Sequence, residues 1–360
     1  MAYATIDKPS SYFNTVLYTG DGASPKSITG VGFKPDFVWS KQRSVAENHN
    51  LYDAVRGGAN SLRSNLTNAE NASSIYGYVS TFDSDGVTYI SGGTNNDLNN
   101  GSGVTFVNWN WLGANTTVSN TSGSITSTVS ANTTSGFSIV TYTGNGTTGA
   151  TIGHGLGVAP RMIIIKNRVN AYNWIVYHAS LGNTGDLKLQ STGAFGIDIN
   201  DWNNTSPTSS VFTVGNNIAV NNSGNSHVAY CFADVKGFSK FGSYTGNGSA
   251  DGTFIYLGFK PAFVIFKQTD TTGNWALLDS TRSYHNVANH TLATNLSNAE
   301  SAFGGGQSVD GAYNKVDIVS NGIKIREASA YNNTSNGSYI YMAFAENPFV
   351  SSTGIPTTAR

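Results

Sequence analysis

Short runs in which apolar and polar residues alternate recur along the whole chain, separated by stretches rich in Gly, Asn, Ser and Thr. In Asp36–Lys41, Phe37, Trp39 and Lys41 share one parity, and Asp36, Val38 and Ser40 the other. In Thr105–Trp111, Phe106, Asn108 and Asn110 alternate with Val107, Trp109 and Trp111. A period of two marks a β-strand with one face buried. The pattern predicts strands at Thr15–Tyr18, Ser27–Val31, Asp36–Lys41, Asn50–Asp53, Ser80–Phe82, Gly86–Ile90 and Thr105–Trp111. Further along it predicts Ser138–Tyr142, Met162–Lys166, Trp174–Tyr177, Ser210–Val214, Ile218–Val220 and Val228–Phe232. Pro35 stands just before its strand, where a missing N–H is tolerated.

The pattern is written three times. Tyr18-Thr19-Gly20-Asp21-Gly22, Tyr142-Thr143-Gly144-Asn145-Gly146 and Tyr244-Thr245-Gly246-Asn247-Gly248 are each followed by a Gly-containing turn and a Pro: Pro35, Pro160 and Pro261. The Tyr-to-Pro spacing is 17, 18 and 17 residues, and each Pro is followed six residues later by a Lys: Lys41, Lys166 and Lys267. Matched spacing in three copies is an internal repeat, which sets the architecture before any local motif is weighed. Ser84-Asp85-Gly86-Val87 and Ser320-Asn321-Gly322-Ile323 add hairpin turns between apolar runs. Each copy closes on an aromatic strand: Phe106–Trp111, Val228–Phe232 and Tyr339–Phe344.

About seven short strands per hundred residues read as an all-β chain of three tandem β-sandwich (jelly-roll-like) repeats. The expected divisions are an N-terminal arm at 1–15, repeat 1 at 16–114, repeat 2 at 137–235, repeat 3 at 236–349 and a tail at 350–360. Residues 115–136 carry no aromatic side chain and read as a linker, in which Ile125 and Val129 could support one weak strand.

Composition narrows the function classes. Charged residues make up 11% of the 360, against roughly 25% in ordinary soluble domains, so Asn, Ser, Thr and Gly must supply the polar surface. Aromatics at 12% exclude disorder. A net charge of −1 leaves no basic stripe for a nucleic-acid partner. No window approaches the roughly 18 apolar residues of a membrane span. Met1–Lys8 shows no apolar leader, so secretion is not expected, and the single Cys231 rules out an intrachain disulfide framework.

No catalytic motif travels with the repeat, and neither an enzyme activity nor a cofactor is expected. Asp53 with Arg56, and Asp279 with Arg282, stand three apart at strand ends; the pair could hold a ligand carboxylate or sugar hydroxyls, or close a loop by Arg–carboxylate bonding. Closing a loop is the commoner use. Repeat 2 has His178 at the Asp position and lacks the Arg. Trp174 and Trp275 could stack on a sugar ring if exposed, yet both begin apolar runs, which favours burial. Asp83-Ser84-Asp85-Gly86 resembles the start of a calcium loop but lacks the later ligands, so a hairpin is expected. His49, His154, His178, His227, His285 and His290 show no metal-ligand spacing. Paired carboxylates for glycoside hydrolysis would have to come from sparse acids, none of them shared by the three copies. Recognition contacts are expected where the copies differ, in loops 92–103, 167–173, 196–208 and 303–315.

Gly32–Trp39, Thr81–Gly86, Ser124–Asn132 and Gly153–Pro160 together resemble repeat-bearing virion proteins of marine bacteriophages, and the resemblance covers essentially the whole chain. It implies a structural protein made in the host cytoplasm and exposed on the particle, acting as a tail fibre or receptor-binding protein. Capsid decoration without a receptor role is the alternative, and a polysaccharide-binding or -degrading tailspike the second. Its partners would be other virion proteins and a host surface glycan or receptor. Such fibres are commonly trimers; with no coiled-coil heptad in the chain, assembly is expected through sandwich faces, the arm or the linker. The resemblance assigns no site residue.

Overall fold

A computed structural model describes residues 3–71, 76–92, 98–300, 315–328 and 331–357. The same four-strand order recurs three times. In unit 1 the opening strand Phe13–Thr19 pairs with the closing strand Thr105–Trp111. That strand pairs with the Pro-to-Lys strand Phe37–Gln42, which pairs with the outer strand Asn50–Asp53. Unit 2 repeats this with Phe137–Thr143, Ser226–Phe232, Met162–Asn167 and Ile175–His178, and unit 3 with Ser239–Thr245, Ser338–Pro348, Phe259–Gln268 and Trp275–Asp279. All these pairings are antiparallel, and the register is conserved in space: Phe37 lies opposite Trp111, Met162 opposite Phe232, and Phe263 opposite Phe344.

A small sheet covers one face of each large one. It is built from Lys26–Ile28, Gly86–Ile90 and Tyr78–Asp83 in unit 1, and from Phe254–Tyr256, Gly322–Ile325 and Val316–Val319 in unit 3. Unit 2 keeps only Ala150–Gly153 paired with Val211–Val214. The Asp-Gly and Asn-Gly hairpins form as expected, between Asp83 and Gly86 and between Val319 and Gly322.

The large sheets are buried on both faces, which corrects the half-buried reading. Val38 faces the small sheet of its own unit in a local core with Tyr52, Val87 and Tyr89. Phe37 and Trp39 point the other way, into a second core that all three units share. Met162, Ile164 and Tyr230 enter it from unit 2, and Phe263, Ile265 and Met342 from unit 3. Rings meet across the units: Phe37 stacks on Tyr230 with centroids 4.5 Å apart, Phe13 lies 5.2 Å from Phe344, and Trp111 5.6 Å from Phe263. The three sandwiches therefore enclose one aromatic centre rather than following one another along a string.

Segments expected to join or flank the units are built into them. Residues 115–136 are not a linker: Val118–Asn120 and Ser127–Asn132 form a hairpin that extends the unit 2 sheet beyond its opening strand, with Phe137 opposite Asn132. Ile125 and Val129 join the local core of unit 2, and the unpaired edge of Phe137–Thr143 supplies the hydrogen-bonding partners that drive the pairing. The arm is short, since the opening strand begins at Phe13. Ala4 and Ile6 are buried, and the Thr5 amide donates to Lys236 O at 2.9 Å. The tail folds back on the arm, with the Ser352 amide donating to Asp7. Ile218–Asn221 is a helical turn rather than a strand, because the Asn217 side chain caps the Ala219 amide at 2.9 Å. Unit 2 also gains a strand that the pattern did not predict, Gly182–Lys188.

Candidate functional site

The repeated Tyr-Thr-Gly-Asx-Gly phrase is a clamped turn. The Tyr18, Tyr142 and Tyr244 hydroxyls donate to Asn99 O, Val220 O and Asn332 O at 2.6–2.7 Å. Buried Asn100, Asn221 and Asn333 each accept from the amide of the Asx residue. A Cβ on Gly144 would lie 2.4 Å from Asn222 O, so only glycine admits this approach.

The two Asp/Arg pairs lie in the seams between units. Arg56 Nε meets Asp53 at 2.5 Å, and Arg282 Nε meets Asp279 at 2.5 Å, with all four side chains wholly buried. Each seam then draws in a residue from the neighbouring unit: the Tyr230 hydroxyl donates to Asp53 at 2.7 Å, and Trp109 Nε1 to Asp279 at 2.9 Å. Glu70 bridges Arg56 to Arg168 of unit 2, and Glu300 bridges Arg282 to Arg43 of unit 1. Burial opposes ionisation of Glu300, but the Arg43 and Arg282 guanidiniums outweigh it and hold the carboxyl at about 2. Buried and fully paired, these groups offer nothing to a ligand.

The departure of unit 2 from this pattern has a physical reason. The closing-strand position held by Tyr230 and Trp109 is Met342 in unit 3, which has no proton to donate. A carboxylate facing it would lose its cross-seam donor. Unit 2 has His178 there instead, whose Nε2 hydrogen-bonds Tyr341 O at 3.2 Å while Nδ1 accepts from the Ser180 amide. Burial lowers this imidazole to about 4, so it stays neutral.

Trp174 and Trp275 are buried, the alternative their apolar runs favour, and cannot stack on a glycan. Their indole N–H groups cross the seams, Trp174 to Arg63 O at 3.0 Å and Trp275 to Lys188 O at 3.1 Å. His49 takes the same place in unit 1 and reaches Ala293 O at 2.9 Å. That carbonyl requires a proton on Nε2, and Nδ1 accepts from Trp39 Nε1. Lys41, Lys166 and Lys267 are buried beside the shared core and bonded to backbone carbonyls. Burial lowers them to about 7, 8 and 8.

Several of the remaining polar candidates are engaged within the fold. Asp85 accepts from the Gly30 and Gly32 amides and Asp83 from Thr88, which is a hairpin rather than a calcium loop. His290 bonds Glu300, away from His285. Asp186 and Asp201 meet as two buried carboxyls with Lys188 3.1 Å from Asp186. Burial, then each other's charge, raises Asp201. Among the described residues no group of three or more His, Cys, Asp and Glu could hold a metal ion, and no helix is long and apolar enough to cross a membrane. Of the expected contact loops, 93–97 and 303–314 lie outside the described residues.

A concavity of about 490 Å³ lies elsewhere: between the start of unit 3, the arm and the tail. Tyr3, 59% exposed, and Tyr256, 55% exposed, line it together with Asp234, Lys236, Lys240 and Phe349. The Lys240 ammonium sits 5.2 Å from the Tyr256 ring centroid and donates to Tyr256 O at 2.6 Å, while Lys236 lies 5.8 Å from the Tyr3 ring. A sequence signal for this groove exists. Beside Ile28 and Ile152 of the small sheets stand Ser27 and Thr29, and Thr151 and Gly153; beside Ile255 stand Phe254 and Tyr256, both exposed. Aromatics on the solvent parity of an edge strand break the alternation that the other copies keep.

No curated protein and no solved structure matches the chain. Over residues 8–348 it matches the profile of a family described as a domain of unknown function, DUF7483, and with nearly its whole length covered the protein belongs to that family.

Proposed function

We propose that this protein is a structural component of a bacteriophage particle, displayed on its outside in a tail-fibre or receptor-binding role. The observation that carries a binding rather than catalytic role is the fate of the reactive side chains: Asp53, Arg56, Asp279 and Arg282 are consumed in the seams. An open concavity of about 490 Å³ is instead walled by exposed tyrosines. The resemblance of Gly32–Trp39, Thr81–Gly86, Ser124–Asn132 and Gly153–Pro160 to virion proteins of marine phages supports the setting, as does a composition poor in charge. Exposed ion pairs contribute little at high salt, so a neutral polar surface sacrifices nothing there.

In this reading one chain does the work of a trimer. The inner sheet faces, Thr5 of the arm and the 115–136 hairpin are engaged within the chain. Location and copy number in a whole-virion reconstruction test the proposal. Copies in multiples of three or six at the tail support it; hundreds on the head would mean capsid decoration, and absence from the particle would sink both.

A further inference from the structure

We infer that the groove between Tyr3 and Tyr256 binds an acidic saccharide, with a pyranose face on a tyrosine ring and a carboxylate or sulfate group against Lys240. This deepens the binding role proposed above and rests on it. Exposed, flat aromatic rings at the wall of a shallow groove offer the apolar C–H face of a sugar a complementary surface, while polar groups at the rim fix its hydroxyls. Here the rim is provided by Ser239, by Asp234 with 44% of its side chain exposed, and by the two lysines. The volume of about 490 Å³ falls within the range of small-molecule sites and suits one or two sugar residues.

Charge selects among saccharides. Asp234 is paired with Arg161 at 3.3 Å, so its carboxylate is already engaged and the Lys240 ammonium stands in the groove to meet an anion. Lys240 spends one of its three N–H donors on Tyr256 O, which points its ammonium along the ring and leaves donors for an anion. Asn14 and Ser138 occupy the corresponding opening-strand positions and make similar side-chain bonds to Val31 O and His154 O, but bring no charge. The aromatics and the cation thus occur together, in unit 3 alone. An acidic peptide is disfavoured because backbone pairing along Phe254–Tyr256 would compete with Lys240 for the Tyr256 carbonyl.

Titration calorimetry of the full chain with digalacturonate, a sulfated disaccharide, neutral lactose and tetraglutamate tests this. We expect binding of at least one acidic disaccharide, with affinity falling as NaCl rises, and at least tenfold weaker binding of lactose and tetraglutamate. Tyr256→Ala and Lys240→Met should each weaken it about tenfold. Tyr284→Ala, at an exposed ring elsewhere, should leave it unchanged, and unfolding midpoints confirm that the variants fold. Loss of binding in none of the groove variants, equal binding of lactose or tetraglutamate, or no binding of either acidic disaccharide overturns the inference. Because the titration uses the isolated chain, its failure is separable from a virion reconstruction that places the protein elsewhere.

Discussion

Tyr230→Phe removes a single oxygen from the seam between units 1 and 2. The hydroxyl is fully buried, donates to Asp53 Oδ2 at 2.7 Å and accepts from Arg56 Nη2 at 3.2 Å. After its loss Asp53 Oδ2 keeps Arg56 Nε at 2.5 Å and Arg56 Nη2 keeps Leu51 O at 3.0 Å, so neither charge is stranded. The cost is then that of one hydrogen bond to a buried charge, about 2–3 kcal/mol. Tyr142→Phe is the control. It deletes a neutral bond to Val220 O within one unit and should cost about 1 kcal/mol. Guanidinium unfolding at pH 7, followed by tryptophan fluorescence, reads both as midpoint shifts at constant slope. If Tyr230→Phe costs no more than Tyr142→Phe, the seam is not held by its charged hydrogen bond and the argument fails.

The shared core predicts that the three units unfold in one transition. Residues 116–235 alone would expose Phe137, Ile139, Met162, Ile164, Tyr230 and Phe232; at about 1.5–3 kcal/mol per buried side chain, uncovering part of that face costs about 5–10 kcal/mol, comparable to a whole domain's stability. Circular dichroism showing that fragment cooperatively folded would contradict the shared-core reading. Glu300 is held at about 2, below its unfolded value of 4.5, so its contribution of roughly 3 kcal/mol is present above pH 4.5 and is lost as pH falls towards 2. Glu300→Gln should forfeit it at pH 7 and show a flatter acid limb; coincident pH profiles would argue against this. Asp201 is shifted the opposite way by burial and by Asp186 and Asp198, so its stabilising contribution is full below pH 3.8 and declines as pH rises through the raised value. Asp201→Asn should stabilise the protein at neutral and alkaline pH, and a loss of stability there would count against the buried-carboxyl reading.

Strand positions and hairpins were legible because apolar parity and Asx-Gly turns are local signals. Burial of Phe37 and Trp39 against other units was not, since period two looks the same whether the covering layer belongs to the same unit or to another. The seams depend on pairs far apart in sequence. Asp53 and Tyr230 are 177 residues apart, so the Asp/Arg spacing points to a local contact while its cross-unit partner stays hidden. The His178 departure makes sense only once the fold brings it to the seam with unit 3, where it meets the Tyr341 carbonyl. The 115–136 segment misled because Ser and Thr serve equally in linkers and in edge strands with one solvated face. Ile218–Val220 misled because three apolar residues fit either a strand or one helical turn, and the capping Asn217 decides.

A ring of three identical subunits must show every surface feature three times, whatever one copy of it would suffice for. Here the threefold seam is made within one chain, from Asp53 with Tyr230, Asp279 with Trp109, and His178 with the Tyr341 carbonyl. Each position can change alone. The set of seams is kept while each unit varies on its outside: unit 2 carries the 115–136 hairpin, and unit 3 the tyrosine-walled groove.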